Sequence, residues 1–314
     1  MKIHSPRFHR SGSVGPLQLT ARDREIIRLV HRHRFLPSHH IAALLGGSPQ
    51  GVVRRLHLLF HHGYLERPRA QLKFVAGGGS QAIAYGLGRK GAELLRREIN
   101  VPAETVSDEE QRNAVGGMFF DHTLLVSSIM VALELASRKR GVRLLYEDEL
   151  ALPVKKRPFQ WWVKLAGNTK LGVIPDAAFA LEYADSSGQT QRVHFFLEAD
   201  RGTMPVVRKK LNQTSFFRKL LAYEATWTNK AHQRHLGIQR FRVLTVTTIP
   251  DRVQSLLNAC SQLERGHGLF LFADSSMLEK DLFSAVWRNG KSGELSPLLD
   301  LPIRQVPPSP DISH

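Results

Sequence analysis

The sequence predicts an α+β chain in two parts: a basic, mostly helical first domain with a small β-hairpin, then a domain in the order α-β-β-β-α-β. Three observations predict it. Charge is concentrated at the start, where the first 100 residues hold 17 Lys and Arg against 5 Asp and Glu, a net +12 of the formal +16 carried by all 314 residues. Three amphipathic helical runs, two of them separated by Gly46-Gly47, precede two short β-runs around Gly77-Gly78-Gly79-Ser80. Further on, two β-runs flank a polar turn at Ser186-Ser187-Gly188. Asp176 enters the first, and Glu198 and Asp200 close the second.

With 42% hydrophobic residues the chain can bury two ordinary cores. Its single cysteine, Cys260, rules out an internal disulfide framework and a Cys-based zinc finger, and its apolar helical setting makes it a core thiol. Residues 1–16 are basic and polar and lack the apolar stretch of a secretory signal. No uninterrupted apolar run approaches membrane-spanning length, so a cytoplasmic protein with no membrane partner is expected. A positive field on one domain suits a polyanion, and the dominance of Arg suits phosphate through its planar donor fork.

Residues 1–16 read as a flexible basic arm. Thr20 then caps a helix with Ile26, Ile27, Leu29 and Val30 inward and Arg22, Arg24, Arg28, Arg32 and Arg34 on the other face. Pro37-Ser38 starts a short second helix, which Gly46-Gly47 stops. Ser48-Pro49 opens a third, with Val52, Val53, Leu56, Leu59 and Phe60 at core spacing. Near its start, Gln50 and Arg54 lie one turn apart and can reach base edges, while Arg55 can reach base or phosphate. The β-runs at 71–76 and 82–87 make a wing, with Arg67, Arg69 and Lys73 suited to phosphate, and a closing helix follows. Together these describe a winged helix-turn-helix over residues 17–99 whose partner is double-stranded DNA. Seven histidines also fall here. His57 and His61 have the i, i+4 spacing of a metal pair, but no motif Glu or cysteine accompanies them, and a solvated surface near the DNA is the plainer expectation.

A linker at 100–116, rich in acid, Pro, Ser and Thr, leads into the second domain at 117–289. Its long first helix carries Asp121 and His122 at one end. A strand at 142–150 follows, then an irregular stretch at 153–168 with Lys155, Lys156, Arg157, Trp161 and Trp162. Those side chains either hold a nucleic-acid strand or pack over the sheet edge. The β-runs at 171–183 and 191–199 form the hairpin that brings Asp176, Glu198 and Asp200 to one edge. Three carboxylates repel one another there unless a cation or basic side chains balance them, and hard oxygen donors favour Mg2+ or Mn2+ as the cofactor. A helix from 203 to 227 with Lys219 and Tyr223, a strand at 241–247, a helix at 250–263 and a strand at 269–272 complete the domain. The Pro-rich tail at 290–314 is expected to be loosely ordered.

An Asp on the second strand and Glu-x-Asp on the third resemble the PD-(D/E)xK nuclease fold. More specifically, the chain resembles the replication-relaxation family of plasmid and mobile-element proteins. The matching pieces are Tyr85-x-Leu87-x-x-x-Gly91, Asp121-His122, Pro175-Asp176, Glu198-x-Asp200-Arg201-Gly202-Thr203 and Lys219-x-x-x-Tyr223, over about residues 17–250. Gly88 stands where such wings often carry a helix-capping Thr. The resemblance implies a PD-(D/E)xK nuclease-like second domain with Asp176, Glu198, Asp200 and a lysine at its site. The nuclease motif places that lysine two residues after the Glu, where this chain has Asp200. Lys209, Lys210 or Lys219 from the next helix could reach back, and Lys219 shares the family spacing with Tyr223.

Three functions compete on this reading. The first is a DNA-binding protein of a plasmid or other mobile element, acting with relaxosome or replication proteins in relaxation, mobilisation, replication or transcriptional control, as a monomer or a homodimer. The second is a Mg2+-dependent DNA endonuclease using Asp176, Glu198 and Asp200. The third is a protein-interaction scaffold that keeps the fold and makes no use of the acidic cluster.

Overall fold

The computed structural model describes residues 7–11, 15–72, 82–99, 117–152, 159–165, 169–210 and 213–299. Lys73, the glycine-rich turn at 77–80, the linker at 100–116, Lys155, Lys156, Arg157 and the tail beyond 299 lie outside the described residues. The chain is a mixed α+β protein that divides into two compact units, Met1–Leu135 and Ala136–His314.

In the first unit, helix α1 (Ala21–His33) opens with a capping box: Thr20 accepts from the Asp23 amide, and the Asp23 carboxylate accepts from the Thr20 amide at 2.7 Å. Its Ile26, Ile27, Leu29 and Val30 are buried, as their spacing requires. Strand β1 (Phe35–Pro37) leads to α2 (Ser38–Leu45) and α3 (Pro49–His61). Ser48 caps α3, and Pro49 sits where a missing amide hydrogen costs nothing. Strands β2 (Leu65–Glu66) and β3 (Ala84–Leu87) join β1 in an antiparallel sheet of order β1-β3-β2, and α4 (Arg89–Ile99) follows. One core, with Ile26, Leu36, Ile41, Leu56, Leu59 and Leu87, ties the helices to the sheet.

Two expectations change here, and a third residue finds its explanation. Of the β-run expected at 71–76 only Gln71 and Leu72 are described, and Gln71 ends a 3-10 turn, Arg69–Gln71, rather than opening a strand; residues 73–76 lie outside the described residues. The Gln71 side-chain amide instead donates to Ala84 O at 3.0 Å and accepts from Ala84 N at 2.9 Å. A primary amide carries the same donor and acceptor pair as a peptide group, so it serves where a strand's backbone was expected. Val53, placed in the core by its spacing, is 50% exposed, because the buried stripe of α3 runs through Val52, Leu56, Leu59 and Phe60. Gly88 departs from the usual wing residue for a packing reason: a Cβ there would stand 2.5 Å from Gly63 O, and one on Gly91 would stand 2.3 Å from Tyr64 O.

Helix α5 (Gly117–Arg140) is 24 residues long and apolar enough by composition to match a membrane span, which amends the expectation that no run approached that length. Its first part is packed as a core helix of the first unit. Phe120 lies 5.0 Å from Phe35 by ring centroids, Ser127 donates to His33 O at 2.9 Å, and Val131 joins the core.

The second unit holds β4 (Arg143–Tyr146), β5 (Trp161–Lys164), β6 (Lys170–Val173), β7 (Ala177–Ala184), β8 (Thr190–Asp200), α6 (Phe216–Thr228), the short α7 (Ala231–Arg234), β9 (Phe241–Thr247), α8 (Arg252–Cys260), β10 (Phe270–Asp274), β11 (Trp287–Asn289) and β12 (Leu295–Ser296). Its seven-stranded sheet runs β12-β11-β10-β9-β8-β7-β4, with β5 and β6 as a separate hairpin. Strands β4, β7 and β8 are antiparallel neighbours, β8, β9 and β10 are parallel, and β11 and β12 return antiparallel. The parallel strands are buried along most of their paired lengths, residues 195–200 of β8 included, as sheet interiors covered by helices are. Phe196, Leu220, Tyr223, Val243, Leu256 and Phe270 form the core between sheet and helices. Cys260 is buried there, and burial above all, then the Glu224 charge, pushes its thiol up to about 12, in keeping with a structural role.

Strand β9 has the bounds read from the sequence, while other elements differ. The run at 171–183 breaks at Ile174-Pro175-Asp176, so its start belongs to the β5–β6 hairpin and the rest to the main sheet. The helix expected from 203 begins only at Phe216, capped by Ser215; the described residues from 203 to 215 are not helical, and Gly202 at φ 75° and Pro205 interrupt a helix at its expected start. Residues 290–299, read as loose tail, carry β12 and the buried Leu298 and Leu299.

Candidate functional site

Two places collect the residues singled out in the sequence. In the second unit, Ala177 pairs with Leu197 across β7 and β8, which sets Asp176 alongside Glu198. The Asp176 amide donates to Leu197 O at 2.9 Å, and its carboxylate accepts from the Ala199 amide at 2.8 Å. Glu198, 2% exposed, points at α6: one oxygen accepts from the Tyr223 hydroxyl at 2.6 Å, and the other is ion-paired with Lys219. The spacing Lys219-x-x-x-Tyr223 is one helical turn, so both residues face the same carboxylate. Lys219 is therefore the lysine that reaches the site; Lys209 and Lys210 are exposed on the preceding loop.

Asp200 lies two residues along β8 from Glu198, but its partner is different. Arg252, in the first turn of α8, grips both Asp200 oxygens, one through Nη2 at 3.1 Å and the other through Nε, and also donates to Met204 O. Because β8 and β9 are parallel and Asp200 pairs with Thr247, the residues after β9 turn into a helix beside Asp200. Sequence reasoning missed Arg252; the signal was an Arg five residues beyond a strand parallel to β8.

The electrostatics follow from burial. Burial raises the Glu198 carboxyl above its ordinary 4.5; the Lys219 cation pulls it back and the neighbouring Asp176 charge adds to the rise. Burial works against the Lys219 ammonium, yet the charges of Glu198, Asp176 and Asp200 outweigh it and hold its pKa above the ordinary lysine value. Burial, then the Glu198 charge, lifts the Tyr223 phenol well above its usual range, so it remains a hydrogen-bond donor.

A metal held jointly by Asp176, Glu198 and Asp200 does not fit this donor set. Both Glu198 oxygens and both Asp200 oxygens are engaged by Tyr223, Lys219 and Arg252. Among the described residues no group of three or more His, Cys, Asp or Glu side chains is arranged to hold a metal ion. Basic side chains, one of the two balances the sequence allowed, neutralise the carboxylates.

The second place is the outward face of α3. Gln50, Val53, Arg54 and His57 follow one another at helical spacing, and all four are exposed. Gln50 accepts from the Ser48 hydroxyl at 3.2 Å, and Arg54 has no ion pair among the described residues. Arg55, expected at base or phosphate, turns inward: its Nε donates to Asp23 at 2.8 Å and a second nitrogen closes the pair, while it also donates to Gln18 O at 3.2 Å. Asp23 is fully buried. Burial raises its pKa, but hydrogen bonds from Arg55 and Thr20 outweigh that and hold it below the usual carboxylate value.

Arg67, expected at phosphate, is also buried. Its guanidinium lies 4.2 Å from the Phe60 ring centroid and donates to the Tyr85 hydroxyl at 3.1 Å and to Arg7 O at 2.6 Å. Arg69, also expected at phosphate, is exposed. His57 and His61 meet Nε2 to Nε2 at 3.0 Å, and His61 Nδ1 accepts from the Ser11 amide at 2.8 Å, so the pair is hydrogen-bonded without a third ligand among the described residues. Asp121 and His122 are half-buried on α5 within the first unit.

With this geometry in view, the sequence profile of the replication-relaxation family matches residues 27–240, two thirds of the chain. No curated protein and no solved structure matches it. The chain belongs to the replication-relaxation family.

Proposed function

We propose, from its membership of the replication-relaxation family, that this chain is a DNA-binding protein of a plasmid or other mobile element. Its first unit acts as a winged helix that grips duplex DNA, and its step is relaxation, mobilisation, replication or transcriptional control, beside relaxosome or replication proteins. The observation that carries this reading is the division of labour among the arginines around α3. Arg55 and Arg67 are tied into the fold, whereas Arg54 projects to solvent one turn from Gln50. An Arg fork matches guanine O6 and N7, and a Gln amide matches adenine N6 and N7, so α3 in the major groove has side chains able to read base edges. Arg69 supplies a phosphate contact that positions the unit without reading sequence.

The second unit carries a PD-(D/E)xK nuclease-like arrangement of Asp176, Glu198 and Lys219. The endonuclease alternative, with Mg2+ or Mn2+ on Asp176, Glu198 and Asp200, requires Lys219 and Arg252 to leave their carboxylates first; the engaged oxygens favour DNA binding without cleavage.

Duplex binding measured over a salt series tests the reading. The parent should lose affinity steeply as salt rises, and Arg69→Ala should weaken all duplexes alike and flatten the slope by about 0.9. A chain that fails to bind any duplex at low salt contradicts the proposal.

A further inference from the structure

The β5–β6 hairpin presents two faces with different chemistry. Its inner face, Trp161, Val163, Leu171 and Val173, is buried in the second unit's core. Trp161 is fixed further by its indole N–H, which donates to Thr226 Oγ1 at 2.9 Å. The outer face carries Trp162, Lys164, Lys170 and Gly172, all exposed. Trp162 is 57% exposed, the most exposed large aromatic side chain among the described residues. Its ring lies across Gly172, its cross-strand partner: a Cβ on that glycine would stand 3.2 Å from the ring. Glycine thus leaves room for the indole to lie across the neighbouring strand while more than half of it stays open to solvent. Lys164 and Lys170 pair directly across the two strands, and Lys170 Nζ sits 5.0 Å from the Trp162 ring centroid. Like charges directly opposite on a sheet repel, and no acidic side chain is ion-paired with either one among the described residues. An anion is what the pair lacks.

We propose that this face is a binding site for single-stranded DNA, with Trp162 stacking one base and Lys164 and Lys170 holding the phosphates beside it. An exposed aromatic with two flanking cations matches the base-and-phosphate alternation of an unpaired strand, a base taking the place over the ring that the Lys170 ammonium now shares. Duplex DNA hides its base faces and cannot use the platform. The core-anchored inner face holds the platform in place before the strand arrives. The site lies on the second unit and is independent of duplex binding by α3.

The test is fluorescence anisotropy of the full chain with a labelled oligo-dT of about 15 nucleotides, set beside a duplex of the same length. Trp162→Ala should weaken oligo-dT binding about tenfold or more, leaving duplex affinity unchanged, and Trp162→Phe should restore much of the loss. Lys164→Gln with Lys170→Gln should lower the salt slope for oligo-dT by about 1.4. These lysines are solvent-exposed, so the pair decides the matter if Trp162→Ala does not fold. A parent that does not bind oligo-dT overturns the site, as do variants that bind like the parent. Tighter binding of oligo-rU than of oligo-dT overturns the assignment to DNA. Loss of duplex binding alone counts against the α3 reading and leaves this site standing.

Discussion

Replacing Lys219 by Met removes the cation from a carboxylate that is 2% exposed while keeping most of the aliphatic stem. Breaking a buried ion pair by deleting one partner costs about 3–5 kcal/mol. Two features place this site at the lower end. The Lys219 side chain is itself 33% exposed, and Tyr223 still donates to one Glu198 oxygen at 2.6 Å. A loss of about 3 kcal/mol follows, which for a unit of this size lowers the melting temperature by roughly 10 °C. The pH dependence has a definite sign. Without Lys219, the Glu198 pKa rises further above its ordinary 4.5, so the native state holds a proton that the unfolded state has released. Stability then falls as pH rises through that window. The Lys219 contribution in the parent, with a folded pKa above the ordinary 10.5, is fully present at both pH 5 and pH 8 and is lost only as pH rises through the folded value. The variant's deficit should therefore be larger at pH 8 than at pH 5, read by thermal melts followed by circular dichroism. A deficit below about 1 kcal/mol at pH 8, or a larger one at pH 5, would refute the buried-pair account.

Two further outcomes follow from the same structure. Asp23→Ala removes the α1 capping box and orphans Arg55, and should destabilise by about 2–3 kcal/mol in denaturant titrations. Because the folded Asp23 pKa lies below the ordinary value, that difference is present above pH 3.8 and should shrink as pH falls through the folded value. Millimolar Mn2+ should leave the parent's melting temperature unchanged, since Lys219 already balances Glu198, and should raise that of Lys219→Ala, where Asp176 and Glu198 lie side by side without the Lys219 cation. A parent stabilised by Mn2+ would contradict the statement that the donor set does not fit a metal.

The hairpin logic that placed Asp176 beside Glu198 was legible in the sequence because strand alternation and a short polar turn fix the register. The Lys219 and Tyr223 pairing was legible as well, since one helical turn sets both on a common face. What remained hidden depended on partners far apart in the chain. Arg55 and Arg67 share composition with Arg54 and Arg69, and only the fold shows that the buried Asp23 and Tyr85 claim the first two. Gln71 reads as strand because its side chain, rather than its backbone, makes the ladder contacts with Ala84. Val53 reads as core because apolar spacing cannot tell the buried stripe of α3 from its neighbour. The two adjacent tryptophans were equally suited to packing and to binding. The period of β5 divides them, sending Trp161 into the core and Trp162 to solvent.

The central claim is that Arg54 on α3 reads bases while the rest of the first unit positions it. The most direct measurement is the ratio of affinities for a duplex selected from a random pool and for an unrelated duplex, at one fixed salt concentration, for the parent and for Arg54→Ala. The account predicts a loss of about 1–3 kcal/mol of discrimination in the variant, with affinity for the unrelated duplex reduced only by one phosphate-sized increment. An unchanged ratio would contradict it.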